Sequence, residues 1–166
     1  LQLYKKLKIL CISFTFLWEL LSSKSKSDSD LEHIQINLKF ENYRKILDDR
    51  EDSIKRGFLH NPQEVKAEIV NKGKSYKASI RLKGDLGDHW LSQSRLSFRV
   101  KLKGGKTILG MNSFSIHKPR ARQHPYDQTF QSLYRDNGNL SVNYNYALVT
   151  VNNEQWGVMH LEEHFS

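Results

Sequence analysis

The sequence predicts an α+β domain, a mostly antiparallel sheet with one or two packed helices, standing behind an N-terminal signal or anchor segment. Three observations point there. A short apolar run follows clustered lysines at the start of the chain. Period-two alternation of apolar and polar residues recurs in short segments from Leu31 onward. Between those segments stand two stretches of helical period, the second of them late in the order.

The first thirty residues divide in three. Lys5, Lys6 and Lys8 precede an apolar run from Ile9 to Leu21, broken by Ser13, Thr15 and Glu19, and a polar Ser22–Asp30 tract follows. That is the layout of a secretory signal, with residues 1–21 as signal peptide or signal-anchor. The run is shorter than the roughly 20 apolar residues of a spanning helix, and it lacks an A-x-A cleavage pattern. An uncleaved anchor with its lysines on the cytoplasmic side therefore stands beside cleavage. Residues 22–30, without an apolar side chain, read as a flexible linker, and residues 31–166 as the domain. The expected location is extracytoplasmic, secreted or held at the membrane of a bacterial cell envelope by the N-terminal segment.

Within the domain, Ile34, Ile36, Leu38 and Phe40 alternate with polar residues as in a half-buried strand. Tyr43, Ile46, Leu47 and Ile54 suit an amphipathic helix ending near Gly57. Val65–Val70 and Tyr76–Lys83 flank Asn71-Lys72-Gly73-Lys74 as a hairpin. Leu96, Phe98, Val100 and Leu102 alternate with Ser97, Arg99, Lys101 and Lys103, giving one apolar and one basic face, and Phe114 and Ile116 mark another strand. Asp127–Asp136 reads as a helix with Asp127 near its N-cap and Gly138 past its end, packed on one face of the sheet. Tyr144–Asn152 and Trp156–Leu161 form a last hairpin.

Twenty-six Lys and Arg stand against 18 Asp and Glu, a formal charge of +8, so the surface field favours anionic partners. The single cysteine, Cys11, excludes an intrachain disulfide and a thiolate metal site. His89, His117, His124 and His160 show no metal-ligand spacing, and no G-x-S-x-G elbow is present. Tyr and Trp interleave with basic residues, but no RRM or OB signature accompanies them, and a secretory start places the domain away from nucleic acid.

Three segments in order resemble the CotH kinase-like family of atypical protein kinases, named for a bacterial spore-coat protein. They are Ala78-Ser79-Ile80-Arg81-Leu82-Lys83-Gly84-Asp85 with the Lys-rich strand Ser97–Lys103, then Phe114–Arg120 leading into a helix, then Val149–Glu163 with its Asn-rich turn and following glutamates. The match covers roughly residues 65–166. Asn153 stands where the family's turn usually has Gly. The resemblance implies a kinase N-lobe architecture and the nucleotide-binding part of an enzyme that transfers phosphate from ATP, with Mg2+, to Ser of surface or secreted proteins. It sets the catalytic Asp residues further along than residue 166. Arg81 and Lys83 on one strand face, and Arg99 and Lys101 on another, are the candidate phosphate ligands, with Glu162 or Glu163 to pair with one of the lysines. The alternative is a non-catalytic envelope module that binds an acidic polymer or a protein partner.

Overall fold

The computed structural model describes residues 31–164; the signal or anchor, the linker and the last two residues of the predicted domain lie outside them. Among the described residues no helix is long and apolar enough to cross a membrane. The elements run β1 (Glu32–Asn37), α1 (Phe40–Arg56), β2 (Val65–Asn71), β3 (Lys74–Leu82), β4 (Phe98–Leu102), β5 (Ser113–His117), α2 (Tyr126–Asp136), β6 (Tyr144–Val151) and β7 (Glu154–Glu163). Their positions follow the periodicity except at the end of the first strand: Phe40, expected to continue it, opens α1 with its ring exposed.

Their assembly does not follow the expectation. The strands close into a barrel in the order β1-β2-β3-β4-β5-β7-β6, so the anticipated α+β architecture resembling an atypical kinase N-lobe is replaced by a seven-stranded β-barrel with two helices. Closure comes from one parallel pairing, β1 with β6, in which Ile34 lies opposite Val149 and Ile36 opposite Val151; every other pair is antiparallel. Both strands turn β-branched side chains to the same interior, and pairing them removes the two free sheet edges that each would otherwise expose.

Alternation decides what fills the barrel. Ile34, Ile36, Ile69, Ile80, Leu82, Phe98, Val100, Phe114, Ile116, Val149 and Leu161 are buried in one apolar cluster, a packed interior as expected for a barrel of this strand number. The intervening residues face outward. Helix α1 ends at Gly57, whose φ of 81° supplies the left-handed C-cap, and it adds Ile46 to the core, with Tyr43 and Leu47 packed beside it.

Helix α2 departs from expectation too. It buries no residue, and Phe130 and Leu133 remain exposed. Its N-cap position is Pro125 rather than Asp127. Asp127 sits in the first turn and accepts a hydrogen bond from Tyr144 Oη at 2.5 Å. Polar anchors rather than an apolar face hold this helix: Arg135 also donates to the Val142 carbonyl at 2.6 Å.

The segment after β3 is pinned from inside. Trp90 is buried and donates its indole N–H to the Gly84 carbonyl at 3.0 Å. Gly84 has φ of 97°, and a Cβ there would come within 2.1 Å of the His89 ring, so both conformation and space require glycine. His89 is held in turn by Ser97 Oγ, 2.9 Å from its Nδ1.

Candidate anion-binding site on the outer face of the barrel

Register brings together residues far apart in sequence. Arg81 lies opposite Arg99, Arg99 opposite Ser115, Ser115 opposite Glu162, and Glu162 opposite Tyr144. Because side chains directly opposite share a face, these five form one polar row across β3, β4, β5, β7 and β6 on the outside of the barrel. The next row places His117 opposite His160 and His160 opposite Tyr146.

At the centre stands Glu162. Its carboxylate accepts from Lys83 Nζ at 3.1 Å and from Arg122 at 3.2 Å and 3.0 Å through Nε and Nη2. The Lys83 and Glu162 side chains are both largely buried, and Arg122 is about half-exposed. Burial alone pushes the Glu162 carboxyl up, yet Lys83 and Arg122 outweigh it and hold the group below the ordinary carboxylate range. Burial lowers the Lys83 ammonium, against the pull of Glu162, with the cations Arg122 and Arg99 adding to the depression. The ammonium is therefore held in a region already crowded with positive charge.

Behind this pair lies a sheltered ring cluster. His117 and His160 are fully buried, their centroids 5.1 Å apart, and His160 stacks on Tyr146 at 4.9 Å. Burial, reinforced for His117 by Lys83, pushes His117 down to about 2. Burial also takes His160 down to about 4. Both rings are neutral at physiological pH, so neither adds to the local positive charge.

In front of the pair opens a cleft of about 530 Å³, lined by Arg81, Lys83, Gly84, Asp85, Arg99 and Arg122 together with the apolar rim of Leu59, Pro62 and Leu86. Like charges placed opposite one another across a sheet destabilise it, and Arg81 and Arg99 are such a pair. Among the described residues neither makes an ion pair. Four cations thus converge on a cleft that, among the described residues, has Asp85 on its lining and Glu162 behind Lys83 and Arg122 to oppose them. Guanidinium groups suit a phosphate or carboxylate guest because their planar forks can each give two hydrogen bonds.

Of the residues expected to bind phosphate, Arg81, Lys83, Arg99 and Glu162 gather here. Lys101 lies one outward step further along β4, in a separate cleft with Ser79, Lys103 and Asn112. Glu163 lies opposite Phe114 on the other parity of β7 and accepts hydrogen bonds from Asn143 instead. No family model and no curated protein matches this chain, so the geometry itself is the ground for a functional reading. Arg122 carries no motif in the sequence, and His117 and His160 show no metal-ligand spacing there. The useful signal was parity: His117 beside Ile116, and His160 and Glu162 on either side of Leu161, are outward positions on strands with buried neighbours.

The Mg2+ implied by the family resemblance does not find its ligands here. Among the described residues no group of His, Cys, Asp or Glu is arranged to hold a metal ion.

Proposed function

We propose that this chain binds the phosphates of a nucleotide in the Arg81–Arg99 cleft, and that it serves as the nucleotide-binding part of an extracytoplasmic protein of the phosphoryl-transfer kind. The observation that carries the reading is the cross-strand arginine pair beside a Lys83–Glu162 ion pair. A polyphosphate between the two guanidinium groups would neutralise their mutual repulsion, and Glu162 fixes Lys83 so that its ammonium meets the same oxygens, as a carboxylate orients the phosphate-binding lysine in kinases. Leu59, Pro62 and Leu86 would cover the less polar part of the ligand. The resemblance to CotH-like kinases supports ATP as the nucleotide, although the barrel is not a kinase lobe. Binding and orientation are the steps that the described residues supply.

Calorimetric titration of the full chain with ATP, tripolyphosphate and adenosine tests this. Saturable heat is expected from ATP and tripolyphosphate and none from adenosine, with at least tenfold weaker ATP binding in Arg81→Ala/Arg99→Ala. Equal binding by that variant, or tighter binding of adenosine than of tripolyphosphate, would reject the assignment.

A further inference from the structure

The basic face continues well past the cleft. Lys66 and Lys101 flank Ser79 from β2 and β4, since both lie opposite it in register. One outward step further, the Lys103 N–H donates to the Lys77 carbonyl at 2.8 Å, which puts those two lysines side by side. Arg81 with Arg99, Lys66 with Lys101, and Lys77 with Lys103 therefore make three cationic tiers on the outside of β2, β3 and β4. A two-residue step on a strand advances about 7 Å, so the tiers extend about 14 Å along the barrel wall.

Three hollows open along this line in the same order. Arg81 and Arg99 line the first, Lys101 and Lys103 the second, and Lys66, Lys77 and Lys103 a third of about 1000 Å³, whose rim adds Lys39 and Lys106. Lys66, Lys77, Lys101 and Lys103 are exposed, and among the described residues none makes an ion pair. The acidic groups lining the three hollows are Asp85 in the first, Glu64 in the second, and Glu41 and Glu68 in the third, and Glu68 is taken up by Ser75 at 2.5 Å and Asn37 at 3.3 Å.

We infer that the outer face of β2–β4 is a docking track for a linear phosphodiester polymer without bases, a polyol phosphate chain. Regular spacing is the first ground: an extended phosphodiester backbone presents one charge per unit at about the interval of the tiers, so successive phosphates meet successive cation pairs. Side-chain chemistry is the second. Single-stranded nucleic acid is held by stacking of its bases on aromatic side chains as well as by charge, and no Phe, Tyr or Trp lines any of the three hollows. Lysines, as hydrated point charges on flexible stems, suit a mobile backbone that offers only phosphates. The inference goes beyond nucleotide binding and uses lysines which that cleft does not contain.

The test titrates the full chain with a defined-length poly(glycerol phosphate) across a range of salt, beside Lys66→Ala/Lys101→Ala/Lys103→Ala and the same three positions changed to Arg. Each lost phosphate contact lowers the slope of log affinity against log salt by about 0.7. The alanine variant is therefore expected to reduce the slope by about 2 and to weaken low-salt binding at least tenfold, while the arginine variant binds as the native chain does. ATP binding should be unchanged in the alanine variant, which separates failure here from failure of the nucleotide assignment. An unchanged slope would overturn the track. Oligothymidylate of equal phosphate number binding as tightly would overturn the choice of a base-free chain, and polygalacturonate binding as tightly would reduce the track to unspecific charge attraction.

Discussion

Glu162 shows how one carboxylate can organise a cluster of cations. Removing it leaves Lys83 and Arg122 near Arg99 without the carboxylate that both are bonded to, and loss of one partner from a buried pair is far more costly than the net worth of the pair. Glu162→Gln is expected to lower unfolding free energy in urea by about 2 kcal/mol, and the cost should fall below half of that in a Lys83→Met background. Fully additive costs would contradict the coupling. The buried histidines supply a second residue-level prediction, with its sign fixed by their depressed values. The folded state keeps His160 neutral down to about 4, whereas an unfolded histidine takes up its proton near 6.5. Between those limits the unfolded state binds more protons, so stability falls as pH falls, by about 1.4 kcal/mol per pH unit for each such histidine. His160→Phe, which keeps a ring against Tyr144 and Tyr146, should flatten that slope by one histidine's share in urea melts from pH 7 to 4. A slope identical to that of the native chain would contradict the burial argument.

At the scale of elements, the two helices differ in how they are held. α1 sends Ile46 into the core, and Arg50 donates from its side to the carbonyls of Trp90 and Leu91 at 2.7 Å each. α2 has only polar anchors and buries nothing. Opening free energy tracks buried apolar contact, so amides of Thr129–Arg135 should exchange with deuterium at least a hundredfold faster than those of β3 and β7. Matching protection would mean that α2 is part of the barrel's cooperative unit. Each element was legible because each has its own period: the alternation around Ile34 and Ile36, the 3.6-residue spacing of Tyr43, Ile46 and Leu47, the basic face of Phe98–Leu102. Partners were not legible, because alternation gives a strand two faces and says nothing of its neighbours. The β1–β6 pairing that closes the barrel joins segments more than a hundred residues apart, as in the Ile34–Val149 pair. A resemblance in local motifs therefore suggested a lobe where the long-range register makes a barrel. The same reasoning explains the candidate site. Arg81, Lys83 and Arg99 could be read as outward cations, but the choice between Glu162 and Glu163 depends on whether Leu161 points inward, and the separation of Lys101 from the cleft depends on counting steps along a strand whose register was unknown.

For the whole molecule, the barrel acts as a rigid former with an apolar interior and a chemically divided exterior. One wall carries the Arg81–Arg99 cleft and the lysine tiers, and the buried histidine and tyrosine rings stand behind the Glu162 pair. Like charges gathered on one wall cost stability unless an anion meets them. The proposed nucleotide site requires Arg81 and Arg99 to bracket the phosphates of the ligand. The most direct measurement is amide chemical-shift mapping of the full chain during titration with ATP and with tripolyphosphate. Both ligands are expected to shift the same amides, those of Arg81, Gly84, Arg99 and Arg122, with saturation, and Arg81→Ala/Arg99→Ala to abolish the shifts. Saturable shifts confined to other residues, or none at all from a folded sample, would contradict it.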